Sequence, residues 1–292
     1  MGYLTDTVVT VGGREFQGGI GDWYIVEDGL DGWRDSPDVR GSSEDIPGQD
    51  GGFAPVEQLL SGREIALTAR HFAPSQMAAQ ADVETWAAQL AKRSDLTFTV
   101  SDASGTRSCR VWVAPGNRVK VRELDAQWVE FQIVFYAPDG RKYAPADPLV
   151  LEANPDALDG MQFPLFAAGF LDFGTFDSGA GFGGGGFYLT NRGTADSWPV
   201  YKVTGLIEGG FSILSQGDEL RYEATVPAGS TLVLSPYAGG RAVLDGVDVT
   251  ANLTVAEWAP VGPGESRPFT FVPVGQSFGG SKLVVDFRGA WW

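Results

Sequence analysis

Only one stretch of this chain repeats its apolar residues at a helical spacing, and that scarcity constrains the fold more than any other feature. Between Asp82 and Arg93, Val83, Trp86, Ala87, Leu90 and Ala91 recur every three or four positions. Asp82 stands where it can cap the N-terminus, and Lys92 and Arg93 stand at the end where a helix dipole favours cations. Elsewhere the apolar residues come in short runs, separated by turn signals roughly every 8–12 residues. Forty glycines and seventeen prolines supply the turns, while nine Trp, eight Tyr and eighteen Phe suit pleated, half-buried strands. The sequence therefore predicts a mostly β protein with one helix at about 82–93.

A chain of 292 residues has room for two domains, each with its own core. In the first half, strands are expected at Thr7–Val11, Arg63–Phe72, Leu96–Val100, Cys109–Val113, Arg118–Leu124 and Gln127–Tyr136. The polar stretch Gly21–Gly52, rich in Gly, Asp, Ser and Pro, reads as mostly loop. At Ala137–Pro148 the composition shifts to prolines and charges, so the boundary is placed there, giving residues 1–148 and 149–292. The second half carries short strands and turns at the spacing of a β-sandwich, with no helical period.

The charge is −16, which argues against a role in gripping nucleic acid, because an acidic surface repels phosphate. One cysteine, Cys109, and one histidine, His71, permit neither an internal disulfide nor a His/Cys zinc cluster. No secretory leader stands at Met1–Val11, and no run approaches the roughly 18 apolar residues of a membrane span. The expectation is a soluble protein made in the cytoplasm of its host, with no membrane insertion.

Catalytic motifs are equally scarce. The glycine run at Gly179–Gly186 ends in a strand pattern and lacks the Lys-Ser/Thr pair of a phosphate loop. His71 lies in an alternating strand, and no G-x-S-x-G elbow occurs. Cys109 reads as a buried thiol. The acids between Asp28 and Asp38 do not have the spacing of an EF-hand. Trp198, Trp258, Trp291 and Trp292 suit either a sugar platform or core and interface packing. No catalytic, cofactor-binding or metal-ligating residue is assigned, no cofactor is expected, and the chain is read as not an enzyme.

Several segments, taken in order, resemble the minor tail proteins of phages of actinobacteria and the distal tail (Dit-type) proteins of siphophages. They are Gly32-Trp33-Arg34-Asp35-Ser36-Pro37-Asp38-Val39-Arg40 with Pro47–Gly52, then Gly62-Arg63-Glu64-Ile65-Ala66-Leu67. In the second half they are Asn191-Arg192-Gly193, Trp198-Pro199-Val200, Val243–Gly246, Gly262–Glu265 and the ending at Phe287-Arg288 with Trp291-Trp292. The resemblance implies an N-terminal tail-tube-like β domain with a flanking helix and a C-terminal galectin-like or carbohydrate-module-like β-sandwich. It also implies a homo-hexameric ring at the tail tip of the virion. Its partners would be the tail tube protein, the tape-measure C-terminus and the baseplate hub or tail-tip proteins, with DNA passing through a channel. The alternative reading is a carbohydrate-binding module for host adhesion.

One segment stands out as a candidate site. Gly21–Gly52 holds nine acids against Arg34 and Arg40, net −7, while residues 1–148 together carry 22 acids and 14 bases, net −8. In a ring, Asp31, Asp35, Asp38, Glu44 and Asp45 would repeat around one axis, and such charge is stable only facing water or a basic partner. The segment is therefore expected to line the channel or to face a neighbour.

Overall fold

The alternation at Arg63–Phe72 folds as a ten-residue strand that buries Ile65, Leu67, Ala69 and His71. Around it the computed structural model describes residues 6–18, 21–41, 45–52, 58–91, 95–152, 185–237, 239–274 and 281–292. Two compact units result, Met1–Pro145 with Trp291–Trp292, and Ala146–Ala290.

The first unit runs β1 (Val8–Val11), β2 (Arg14–Gly18), β3 (Trp23–Asp31), β4 (Val39–Arg40), β5 (Leu59–Leu60), β6 (Arg63–Phe72), α1 (Gln76–Leu90), β7 (Leu96–Asp102), β8 (Gly105–Val113), β9 (Lys120–Leu124), β10 (Trp128–Ala137) and β11 (Lys142–Tyr143). Its main sheet is ordered β11-β8-β7-β1-β2-β3-β6-β10-β9. Phe135 and Tyr136 of β10 also pair with Val113 and Trp112 of β8, so the seven strands from β8 round to β10 close into a barrel. Closure leaves no edge on the barrel wall itself. β9 lies outside it, at the end of the sheet, and β4 and β5 pair only with each other. The barrel core holds Phe16, Trp23, Phe98, Phe131 and Phe135, with Trp86 of α1 fully buried against Phe16 and Phe131 at ring distances of 5.4 and 5.6 Å.

The helix begins six residues earlier than its apolar period. Ser75 is the N-cap, its Oγ accepting from the Ala78 amide at 3.3 Å. The first turns carry Gln76, exposed Met77 and Gln80, which have helix propensity but no periodic signature. Asp82 is thus inside the helix and serves a tertiary contact. Its carboxylate meets His71 Nε2 at 2.9 Å, while His71 Nδ1 meets the Asp22 carbonyl at 2.9 Å and the ring stacks on Trp23 at 3.9 Å. The described helix ends at Leu90, and Lys92 and Arg93 lie outside the described residues.

A second departure is β3. Trp23–Asp31, expected as loop, is a nine-residue strand, hidden in the sequence by a bulge. Its pairing with β6 shifts between Ile25 and Leu30, so Val26–Gly29 breaks the alternation and pushes Glu27 and Asp28 outward.

The second unit continues with β12 (Leu149–Glu152), β13 (Gly186–Thr190), β14 (Val200–Thr204), β15 (Phe211–Ser215), β16 (Asp218–Tyr222), β17 (Thr231–Ser235), β18 (Arg241–Leu244), β19 (Val247–Asp248), β20 (Leu253–Ala256), β21 (Ser266–Pro273) and β22 (Lys282–Asp286). One sheet is ordered β12-β22-β14-β17-β18-β19 and the other β13-β21-β15-β16-β20. Their inner faces share a core of Phe187, Tyr201, Phe211, Tyr222, Phe269 and Phe271, as a sandwich requires. Buried Asn191 ties its end: Nδ2 donates to the Ala195 and Val261 carbonyls at 2.7 and 2.9 Å, and Oδ1 accepts from Gly193 N at 2.9 Å. A Cβ on Gly193 would lie 1.7 Å from the Ala290 carbonyl, which explains the glycine of that Asn-Arg-Gly run. A final strand, β23 (Ala290–Trp291), brings Trp291 and Trp292 into the first unit, where Arg107 lies 4.4 Å above the Trp291 ring. Most of the glycine run, residues 179–184, lies outside the described residues.

Candidate functional site

The acidic segment leaves β3 and returns to β6. All eight of its described acids, Asp22, Glu27, Asp28, Asp31, Asp35, Asp38, Asp45 and Asp50, are exposed, and none is in an ion pair among the described residues. Glu44 lies outside the described residues. Asp31 ends β3, Asp35 and Asp38 sit in the turn that follows, and Asp45 forms an isolated bridge with Gly52. The β4–β5 pair between them exposes Val39 and Leu59 by more than half.

What holds this turn is two buried cations. Arg63, the first residue of β6, is 3% exposed. Its Nη1 donates to the carbonyls of Gly32 at 2.7 Å, Trp33 at 3.3 Å and Asp35, and its Nε donates to Gly140 O at 3.1 Å. Its Nη2 is buried and bonds to no protein atom. Lys142, 4% exposed on β11, donates to the Trp33 carbonyl at 3.1 Å and lies 5.7 Å from the Trp33 ring. Trp33 itself is buried and packs at 5.6 Å against Phe98. Outside the knot, Ser61 N donates to Asp38 O at 2.8 Å and Arg34 pairs with Asp102 at 3.7 Å.

Gly32 makes the approach possible. It has φ +75°, and a Cβ there would meet the Glu64 carbonyl at 2.1 Å. The Gly-Trp-Arg-Asp-Ser-Pro-Asp and Gly-Arg-x-Ile-x-Leu segments are thus two halves of one hydrogen-bonded knot. Neither Arg63 nor Lys142 was legible in the sequence as part of it, because charged residues ordinarily face water.

The knot is electrostatically lopsided. Burial lowers the Arg63 pKa, with Cys109 and Asp35 opposing. Burial, then the neighbouring Arg63 and Arg107, pushes Lys142 down to about 8. Burial pushes the adjacent Cys109 thiol up to about 12, so the thiol stays protonated and unreactive. The cations satisfy backbone carbonyls, not carboxylates, so the acids of the turn remain free to face outward.

The remaining candidates gather no comparable chemistry. His71 and Cys109 are on different faces of need: the first ties α1 to the barrel, the second fills core space. No group of three or more potential metal ligands occurs among the described residues. Among those residues, no helix is long and apolar enough to cross a membrane. Trp198 and Trp258 line a cavity of about 10 Å³ with Asp218 and Glu257, room for a single water. Both carboxylates there are engaged, Asp218 by Arg267 and Glu257 by the Glu219 amide at 3.0 Å.

No protein-family model matches the sequence, and no curated protein matches it. Solved structures do match in fold. The Dit protein of phage SPP1, described as a paradigm of hub adsorption apparatus in Gram-positive infecting phages, aligns over 98% of this chain and 99% of its own, at 15% identity and a TM-score of 0.61. The phage P2 baseplate in its activated conformation aligns over 97% of this chain and 98% of its own at 7% identity, with TM-scores of 0.51 with Ca and 0.54 with Sr. The class defined is a mostly β fold shared with these phage hub and baseplate chains. In particular, the chain has the Dit-type fold over nearly its whole length.

Proposed function

We propose that this protein is a structural, non-enzymatic hub of a phage tail, forming a hexameric ring at the distal end of the tube. The observation that carries this reading is the end-to-end match, in both units, to the hub protein of SPP1. The barrel unit, residues 1–145 with 291–292, is the ring former. Its neighbours are the tail tube protein, the tape-measure C-terminus and the baseplate hub. DNA crosses the ring without adhering, because exposed carboxylates repel phosphate.

Mass in solution and particle symmetry test this directly. Six copies with six-fold symmetry are expected from the full chain, and from the barrel unit more readily than from residues 149–292. A full chain that stays monomeric at every concentration, alone and with a tube protein present, overturns the reading.

A further inference from the structure

Outside the closed barrel, β9 is the terminal strand of the main sheet, hydrogen-bonded on one side to β10. All five of its residues are exposed. Arg118, Lys120 and Arg122 alternate along it and just before it, all exposed, and none is in an ion pair among the described residues. Arg122 donates to Gln132 Oε1 at 2.7 Å. Between and beside these cations Val121 and Leu124 are 46% and 47% exposed. The strand and its approach thus offer a row of unpaired backbone groups, three cations and two apolar side chains, with one acid, Glu123, whose carboxylate lies 4.0 Å from Arg70. An edge of that kind is a template for another chain.

Its complement is in the same molecule but out of reach. β9 pairs with residues 129–132 of β10, which lie opposite His71–Thr68 of β6. The acidic turn is pinned at the other end of that ladder, where Ala137 pairs with Arg63. From Gln132, opposite Lys120, the offset to Ala137 is five residues, roughly 17 Å at the rise of a strand, while Asp31, opposite Ala66 and so level with Val134, lies two residues along and three strands across. Complementary surfaces held apart on one sheet are satisfied between copies, head to tail, and such heterologous contacts form a ring where the rotation closes.

We propose that the basic free edge of β9 docks the acidic turn around Asp31, Asp35 and Asp38 of a second copy of this chain. The knot of Arg63 and Lys142 then acts as preorganisation: the turn is fixed before it binds, so little ordering entropy is lost on contact. The proposal rests on the ring reading above and names the faces that meet.

Charge reversal and its repair test it. The triple change Arg118→Glu, Lys120→Glu and Arg122→Glu lies on exposed side chains and should leave the circular dichroism unchanged. Self-association, read by sedimentation velocity at low ionic strength, should weaken at least tenfold. Asp31→Lys, Asp35→Lys and Asp38→Lys should weaken it similarly. Mixing the two reversed chains should restore a contact between unlike copies, and the chain carrying both sets should assemble alone. Wild-type assembly should weaken with added salt. If wild type assembles and the β9 reversal assembles equally well, the cations merely guard an edge and the contact is wrong. If both reversals abolish assembly but neither mixing nor combination restores it, the faces do not meet each other. A wild-type chain that never associates removes the ring reading itself, and this contact with it.

Discussion

The two units bury their cations in different ways. In the sandwich, Arg267 is held conventionally: it pairs with Asp218, its Nε donates to Ser215 Oγ at 2.7 Å, and its Nη1 donates to the Pro260 carbonyl at 2.7 Å. In the barrel, Arg63 and Lys142 are buried without a carboxylate partner and grip backbone carbonyls. The first arrangement closes a charge pair within the fold. The second uses charge to fix a loop's path through its carbonyls, while Asp35 acts on both cations through space and none of the loop's acids is in an ion pair among the described residues.

The largest effect expected is on the barrel alone. Trp86→Ala removes a fully buried indole from the Phe16, Trp23 and Phe131 cluster and should cost roughly 3–5 kcal/mol. If the units are thermodynamically separate, calorimetry should show one transition lowered and the other, from the sandwich, unmoved. A loss under about 1 kcal/mol would mean that the helix face does not hold the barrel.

The contrast between cations predicts a smaller, graded pair of effects. Arg63→Met removes four hydrogen bonds at once, leaving Trp33 O its bond from Lys142 but taking the arginine from Gly32, Asp35 and Gly140, and should cost roughly 2–4 kcal/mol. Arg63→Lys should recover little, because one ammonium cannot span the fork that reaches both Gly140 and Gly32–Asp35. Arg267→Met should cost less, about 1–2 kcal/mol, since Asp218 is 42% exposed and can turn to water. Equal losses from urea melts of the two variants would erase the distinction.

Lys142 sharpens it through pH. Its pKa is about 8 folded against 10.5 for the free side chain. Between those values the unfolded chain holds the proton and the folded one does not, so this group makes stability rise with pH across that window. Below about pH 8 both states are protonated and its contribution is flat. The unfolding equilibrium should fall by up to roughly tenfold per pH unit in the window. Lys142→Met should remove that slope; a variant that tracks wild type from pH 8 to 10.5 would show that the ammonium is not buried in the knot.

What could be seen in the sequence follows the same division. β6, β8 and β10 are legible because one face of each meets a core and the period of two survives. β3 is not, because its bulge interrupts the alternation with Glu27, Asp28 and Gly29. The start of α1 is not, because a first turn exposed to water needs no apolar pattern. The acidic segment shows in composition alone, yet the residues that place it do not. Arg63 carries the ordinary look of a polar strand start, and Lys142 sits among prolines and charges that read as a linker. A charge buried to hold backbone carbonyls leaves no trace in a hydrophobic pattern.

The smallest effect on stability is expected where the effect on assembly is largest. Asp31, Asp35, Asp38 and Asp45 are exposed, and no ion pair among the described residues depends on them. Changing them together to Asn should move the urea midpoint by the equivalent of under about 0.5 kcal/mol per site. The knot should persist, because Arg63 binds the Asp35 carbonyl and not its carboxylate. The same variant should form fewer rings, or attach its neighbour poorly, and lose the salt dependence of that step. If the amide variant melts well below wild type, the acids are structural and the sharp division between inner cations and outward acids fails. If it melts as wild type and yields tails that eject DNA normally at every ionic strength, the acids are surface charge without a partner, and the barrel presents nothing through them.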